Sequence, residues 1–174
     1  KHLIENGNFV YVDKPLARSV KELSLYQNFI ESGKLMSCSM FIFNKDFKKT
    51  FFRQNLEIIE ISYAGNFENY FCHIIDPITH FLESKITVKK IDKKAVLVKD
   101  GKLKFKLIIK NNAEYGFNYV FRYQNSAFEI IDIKSNFQSF RTGLINLKHH
   151  MNNKIHFRSY EKYENTLKIY GALN

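Results

Sequence analysis

Between Ile86 and Lys134 apolar residues recur at every second position of this 174-residue chain, and that period dictates a sheet. Five strands are predicted from it: Ile86–Ile91, Ala95–Lys99, Lys102–Lys110, Phe117–Tyr123 and Phe128–Lys134. Leu103, Phe105, Leu107 and Ile109 share one face, with Lys102, Lys104, Lys106 and Lys110 opposite. The sheet is therefore expected to be mostly antiparallel, with one face covered and one solvated. Asp100-Gly101 is a type I′ hairpin signal, and Asn111-Asn112 and Gln124-Asn125-Ser126 are weaker turns.

Before this region strands and helices alternate. Residues 1–8 read as the end of a helix closing at Gly7. Phe9–Val12 is a run of four apolar residues ending at Asp13-Lys14-Pro15. Ser19 lies three residues before Glu22, a capping box that opens a helix over Val20–Ser32, stopped by Gly33. Leu35–Phe43 reads as the next strand, so the three elements form a βαβ unit with parallel pairing. Asp46–Arg53 is expected to be a short helix, Leu56–Tyr63 a strand and Phe67–Glu83 mostly helical. Two closing helices follow, with apolar stripes Phe140, Leu144, Leu147, Met151 and Tyr163, Leu167, Tyr170, Leu173. The fold class is α+β.

A hydrophobic fraction of 45%, 16% of the chain being aromatic, supplies a core for one domain. The net charge of +10 favours acidic partners. Its lysines are spread along the strands, however, which describes the solvated face of a sheet rather than a nucleic-acid site, where cations cluster with exposed aromatics. No apolar run approaches the length of a membrane span, and no secretory leader opens the chain. Cys38 and Cys72 have no CxxC partner and read as two buried thiols in a reducing compartment, so a cytoplasmic location is expected.

Three side chains carry candidate chemistry. Lys14 ends a strand and is held by Pro15, where a cation is able to bind a substrate hydroxyl or stabilise an alkoxide; its plain alternative is an exposed lysine. His73 is able to relay a proton, or is a partly buried ring packed beside Phe71 and Ile75. Asp76 is placed to orient that imidazole or bind a substrate hydroxyl, and Asp76-Pro77 equally fits a helix N-cap with proline at N1. His73, Asp76 and His80 share a helix face, but without a further ligand set no metal is expected. Lys148, His149 and His150 read as a solvated basic cluster near a helix end.

The ordered set of motifs resembles the Gfo/Idh/MocA family of NAD(P)-dependent oxidoreductases. The matching residues are Leu3–Ala17 with the acid-Lys-Pro at Asp13-Lys14-Pro15, the Ser19-x-x-Glu22 helix start, His73-Ile74-Ile75-Asp76, and the closing pair of helices. The resemblance implies the last strand-helix-strand of a Rossmann domain followed by an α/β domain with a mostly antiparallel open sheet and flanking helices. Residues 1–34 would be the remnant of the dinucleotide-binding domain, and 35–174 the substrate-binding and oligomerisation domain. It further implies Lys14 and His73 as catalytic, Asp76 and Asn69 as substrate-binding, and Asp13, Lys14 and Pro15 as the edge of an NAD or NADP site. The substrate would be a sugar, sugar derivative or polyol, and the assembly a homo-oligomer formed through the sheet. Three departures stand out: Asp13 replaces the usual Glu, Asn69 stands where many members place Asp, and no G-x-G-x-x-G occurs. The competing expectation is a non-enzymatic α+β ligand-binding module, in which Phe9–Val12 and Leu35–Phe43 would not pair in parallel.

Overall fold

The computed structural model describes residues 2–135, 137–153 and 158–174. A six-stranded sheet carries the fold: β3 (Leu56–Tyr63), β4 (Thr87–Asp92), β5 (Ala95–Asp100), β6 (Leu103–Lys110), β7 (Phe117–Tyr123) and β8 (Phe128–Ile133). Their order is β4-β5-β6-β3-β7-β8. All neighbours are antiparallel except β3 and β6, which run parallel with Ile59 opposite Leu107. The period-two reading thus holds, and the alternate residues Phe105, Leu107, Tyr119 and Phe121 are almost wholly buried on the covered face.

A second, two-stranded sheet precedes it. β1 (Val10–Tyr11) pairs in parallel with β2 (Leu35–Met36), Val10 opposite Leu35 and Tyr11 opposite Met36. The expected strand over Leu35–Phe43 stops early. Ser39 gives its backbone N–H to the Asp76 carboxylate instead of a ladder and caps a 3-10 turn over Met40–Phe43. The helix expected over 20–32 is two short ones, α2 (Val20–Ser24) and α3 (Gln27–Glu31). Ser24 Oγ donates to the Lys21 carbonyl at 2.8 Å, and the Leu25 N–H turns to the Glu22 carbonyl instead, so the regular ladder breaks there. The capping box forms in altered shape: Ser19 accepts the Glu22 N–H, while the Glu22 carboxylate accepts from Arg18 N–H. Asp46–Arg53 yields only a 3-10 turn at Lys49–Phe51, after Asn44 accepts the Asp46 N–H in a side-chain turn.

Helices α4 (Phe67–Phe81) and α6 (Tyr160–Leu173) pack together, with α6 also against β4 and β5. The Tyr163, Leu167, Tyr170, Leu173 stripe is buried as predicted. The stripe predicted on α5 (Phe137–Asn153) is not: Phe140, Leu144 and Met151 are exposed. The face packed inward is Ser139, Gly143 and His150, because the Met40–Phe43 turn lies so close that a Cβ at Gly143 would overlap Met40 Sδ. Small residues win that face over large apolar ones. His150 is accordingly buried, Nε2 3.0 Å from the Gly33 carbonyl oxygen, and does not belong to a solvated cluster. The short helix α1 (His2–Glu5) ends before Gly7 at φ +87, and Ile4, Ala17, Leu23 and Ile30 join the same apolar core as the large sheet.

The hairpin β5–β6 turns through Gly101-Lys102 with only Gly101 at positive φ, the type II′ placement rather than type I′. Asp100 is freed from the turn itself and caps Glu83 and Ser84 N–H groups. Gly116 enters β7 at φ +71, where a Cβ would lie 2.5 Å from the Ile133 carbonyl oxygen. Gly116→Ala is therefore expected to lower unfolding free energy by about 1–2 kcal/mol from backbone strain alone, and urea denaturation checks it. Among the described residues no helix is long and apolar enough to cross a membrane.

Candidate functional site

The sequence-predicted residues lie on the turn that follows β1 and along α4. Lys14, half-buried, follows β1, and the Lys14-Pro15 peptide is cis. It makes no hydrogen bond or ion pair within the described residues. Its charge nevertheless reaches both Cys72 and His73 on the second turn of α4. Asn66 opens that helix by accepting the Glu68 N–H at 2.8 Å, which sets Asn69, His73 and Asp76 on successive turns of one side. The charges of Lys14 and Asp13 both act on the His73 ring, in opposite directions.

His73 is flanked by Phe41, with centroids 4.9 Å apart, and by Phe117 and Tyr70. Its Nδ1 lies 2.8 Å from Ser39 Oγ. Burial, then the Lys14 charge, lowers its pKa to about 4, against an opposing pull from Asp76 and Asp13. His80, one helical turn past Asp76, is also lowered to about 4, chiefly by burial and then by Arg158. Both rings stay neutral in the folded protein where an unfolded chain would protonate them. A depressed folded pKa means the unfolded state binds more protons below about pH 6.5, so stability falls as pH drops from there towards 4. Urea midpoints across that window are expected to decline, and replacing both histidines by glutamine should flatten the decline.

Asp76 is neither an N-cap nor open to a ligand. Pro77 lies inside α4, and Asp76 sits on the third turn, 2% exposed. Its Oδ1 accepts from Arg158 Nη2 at 2.7 Å and Thr166 Oγ1 at 2.9 Å, and Oδ2 from the Ser39 N–H at 2.8 Å. The expectation that Asp76 binds substrate gives way to this geometry: a desolvated carboxylate needs every bond it has. The Arg158 guanidinium stacks over Tyr163 at 4.5 Å, and burial opposes its charge while the Asp76 carboxylate restores it. Its Nε and Nη1 are the buried side-chain polar atoms without a partner among the described residues. Arg158 also lines a cavity of about 20 Å³ shared with Pro15, Ser37, Cys72 and Asp76. Asn69 remains exposed, one turn before His73.

Sequence reasoning missed Ser39 and Arg158. Ser39 falls inside the strand expected over Leu35–Phe43; its signal is a serine two residues before a Phe41 N–H that it caps. Arg158 stands 82 residues from its carboxylate, a distance over which no periodicity speaks. Cys38 and Cys72 are free and buried, and burial pushes the Cys38 thiol up to about 12. A larger cavity of about 740 Å³ lies elsewhere, between α3 and α6, lined by Glu31, Lys85, Glu161 and Glu164. Its one buried-side acid, Glu164, is already paired to Lys85 and Lys168. No group of three or more metal-ligating side chains occurs among the described residues.

This architecture, a short parallel strand pair leading into an open six-stranded sheet, is the fold of Gfo/Idh/MocA oxidoreductases. Among the solved structures that share it is KijD10, a 3-ketoreductase from Actinomadura kijaniata in complex with NADP and TDP-benzene. It has a TM-score of 0.66 and 13% identity over 98% of this chain and 71% of that one. GenD2 from gentamicin A biosynthesis, in complex with NAD, gives 0.66 and 8% over 98% and 70%. A Gfo/Idh/MocA family oxidoreductase from Vibrio cholerae gives 0.54 and 11% over 97% and 71%. No protein-family model matches the sequence, and no curated protein matches it.

Proposed function

We propose that the chain forms the substrate side of an oxidoreductase of the Gfo/Idh/MocA type, exchanging hydride between NAD or NADP and a C–OH or C=O group of a sugar, sugar derivative or polyol. What supports this reading is the placement of Lys14 and His73. One ends a strand in parallel pairing with β2, the other rides on α4, and the lysine's charge acts on the imidazole. That parallel pairing is also the feature on which the non-enzymatic alternative was to differ. Ligands of α/β sheets bind beyond the carboxyl ends of such strands.

In this reading residues 1–34 close a dinucleotide-binding domain and 35–174 bind substrate. The residues present fit one end of the dinucleotide only. Lys14, unpaired at a strand end, would meet the nicotinamide ribose with Asp13 and Pro15 beside it, whereas the glycine turn that a pyrophosphate requires is not in this sequence. When bound, the dinucleotide supplies or takes up the hydride. Lys14 holds the reacting oxygen, His73 fixes its direction, and Asn69 is available to a neighbouring hydroxyl. The open face of the sheet, with Ile130 and Phe128 exposed and Glu60 bridging Lys110 and Arg122, supports self-association through that face. Two free buried thiols suit a reducing compartment such as the cytoplasm.

Two measurements test the reading. NADH or NADPH fluorescence titrated with the 174-residue chain is expected to show no tight stoichiometric binding; such binding would overturn the assignment of the pyrophosphate site to residues outside it. Joined to a glycine-rich dinucleotide domain, the chain is expected to move deuterium from labelled NAD(P)H to a keto-sugar. Absence of any transfer across nucleotide-linked and free keto-sugars would defeat the enzymatic reading.

A further inference from the structure

His73 has one ring nitrogen engaged and the other open. Nδ1 lies 2.8 Å from Ser39 Oγ. Nε2 has no partner among the described residues. Which nitrogen carries the hydrogen is decided at Ser39. That serine is fully buried, and its Oγ already accepts the Phe41 N–H at 3.2 Å. A hydroxyl has one hydrogen to give, and here His73 Nδ1 is the acceptor in reach. Were Nδ1 to donate instead, the serine's own hydrogen would be buried with nothing to accept it, a worse outcome than any bond gained.

Building on the oxidoreductase reading above, we infer that Ser39 is a positioning residue that fixes His73 as the tautomer bearing hydrogen on Nε2. The imidazole then presents a donor, not a base, on the ring that the Lys14 charge acts on. The serine is itself held: its N–H bonds Asp76 Oδ2, and Asp76 is anchored by Arg158 and Thr166. Protonating the ring would force the serine hydroxyl to turn round and strand its hydrogen, next to the Lys14 charge. Asp13 and Asp76 pull the other way but do not prevail, and the ring titrates near 4.

An Nε2–H donor, on a ring that the Lys14 charge also acts on, suits an oxygen with lone pairs to offer, a carbonyl or an alkoxide. His73 Nε2–H orients that oxygen and keeps its hydrogen. The proton that a reduced carbonyl oxygen takes up comes from the Lys14 ammonium, which is left as the amine; in the oxidative direction the amine takes it back. The histidine is thereby a directing group and Lys14 the acid-base group.

The test is a two-bond ¹H–¹⁵N spectrum of the 174-residue chain with labelled histidine, in which hydrogen-bearing and bare ring nitrogens resonate far apart. At neutral pH, His73 is expected to show a bare Nδ1 and a hydrogen on Nε2. In Ser39→Ala the two nitrogens should move towards averaged positions and the ring should titrate higher; Ser39→Thr should restore both. A hydrogen on Nδ1 in the unaltered chain, or a Ser39→Ala spectrum identical to it, would overturn the inference. If Ser39→Ala does not fold, the unaltered spectrum alone decides the tautomer. An active enzyme with hydrogen on Nδ1 would end this inference and leave the oxidoreductase intact, whereas absent hydride transfer leaves the nitrogen shifts as they are.

Discussion

Arg158→Met is expected to lower the unfolding free energy by about 3–5 kcal/mol, as does removing one partner of a buried ion pair in general. Asp76 is 2% exposed and keeps only the Ser39 N–H and Thr166 hydroxyl when the guanidinium is gone. Those two bonds hold the value away from the extreme. Packing does little to the estimate, since methionine fills most of the same stem and still lies against Tyr163. The double variant Asp76→Leu with Arg158→Met removes both charges and is expected to regain most of the loss, because desolvating the pair costs about as much as the pair returns. Two guanidinium nitrogens without partners among the described residues make that cost higher here than in a fully satisfied site. Urea midpoints of the three proteins decide it: a loss under about 1 kcal/mol for the single variant would mean that water reaches the carboxylate. The single variant should also loosen Ser39, which hangs from Asp76, and so blur the His73 tautomer.

The sheet was legible because its signal is local. β3 and β7 occupy the predicted residues, and alternate side chains point as the period requires. Where side chains intervene in the backbone ladder, the reading fails: Ser24 splits a helix, Ser39 ends a strand, Asn44 unmakes another helix. The face of α5 was misread for a different reason. Apolar periodicity finds the side able to be buried, but a turn packed against Gly143 leaves room only for small residues, and the large ones turn outward. At the candidate site the chemistry-bearing residues Lys14 and His73 could be singled out, since both lie in motif-like segments. Their supports could not, because Asp76 meets Arg158 only after α6 has returned across α4.

Lys14→Met should separate function from fold more cleanly than any other change at this site. The ammonium has no hydrogen-bond or ion-pair partner among the described residues, so the fold has nothing to lose when it goes, and stability is expected to stay within about 0.5 kcal/mol. The methionine keeps most of the length of the stem. What disappears is one charge, and its loss should be felt at His73: the lysine is the second cause depressing that ring, after burial, so the imidazole should titrate higher in the variant. This shift is readable by NMR on the chain alone and checks the convergence without any turnover. With the chain joined to a dinucleotide domain as proposed above, kcat/KM is expected to fall by about 10²–10³, the usual effect of removing one group that stabilises charge on a reacting oxygen. The loss should lie mainly in kcat, because the charge develops only in the transition state. An unmoved His73 titration would place the two groups too far apart to share a ligand. A moved titration with undiminished turnover would make the lysine a neighbour of the imidazole and no more.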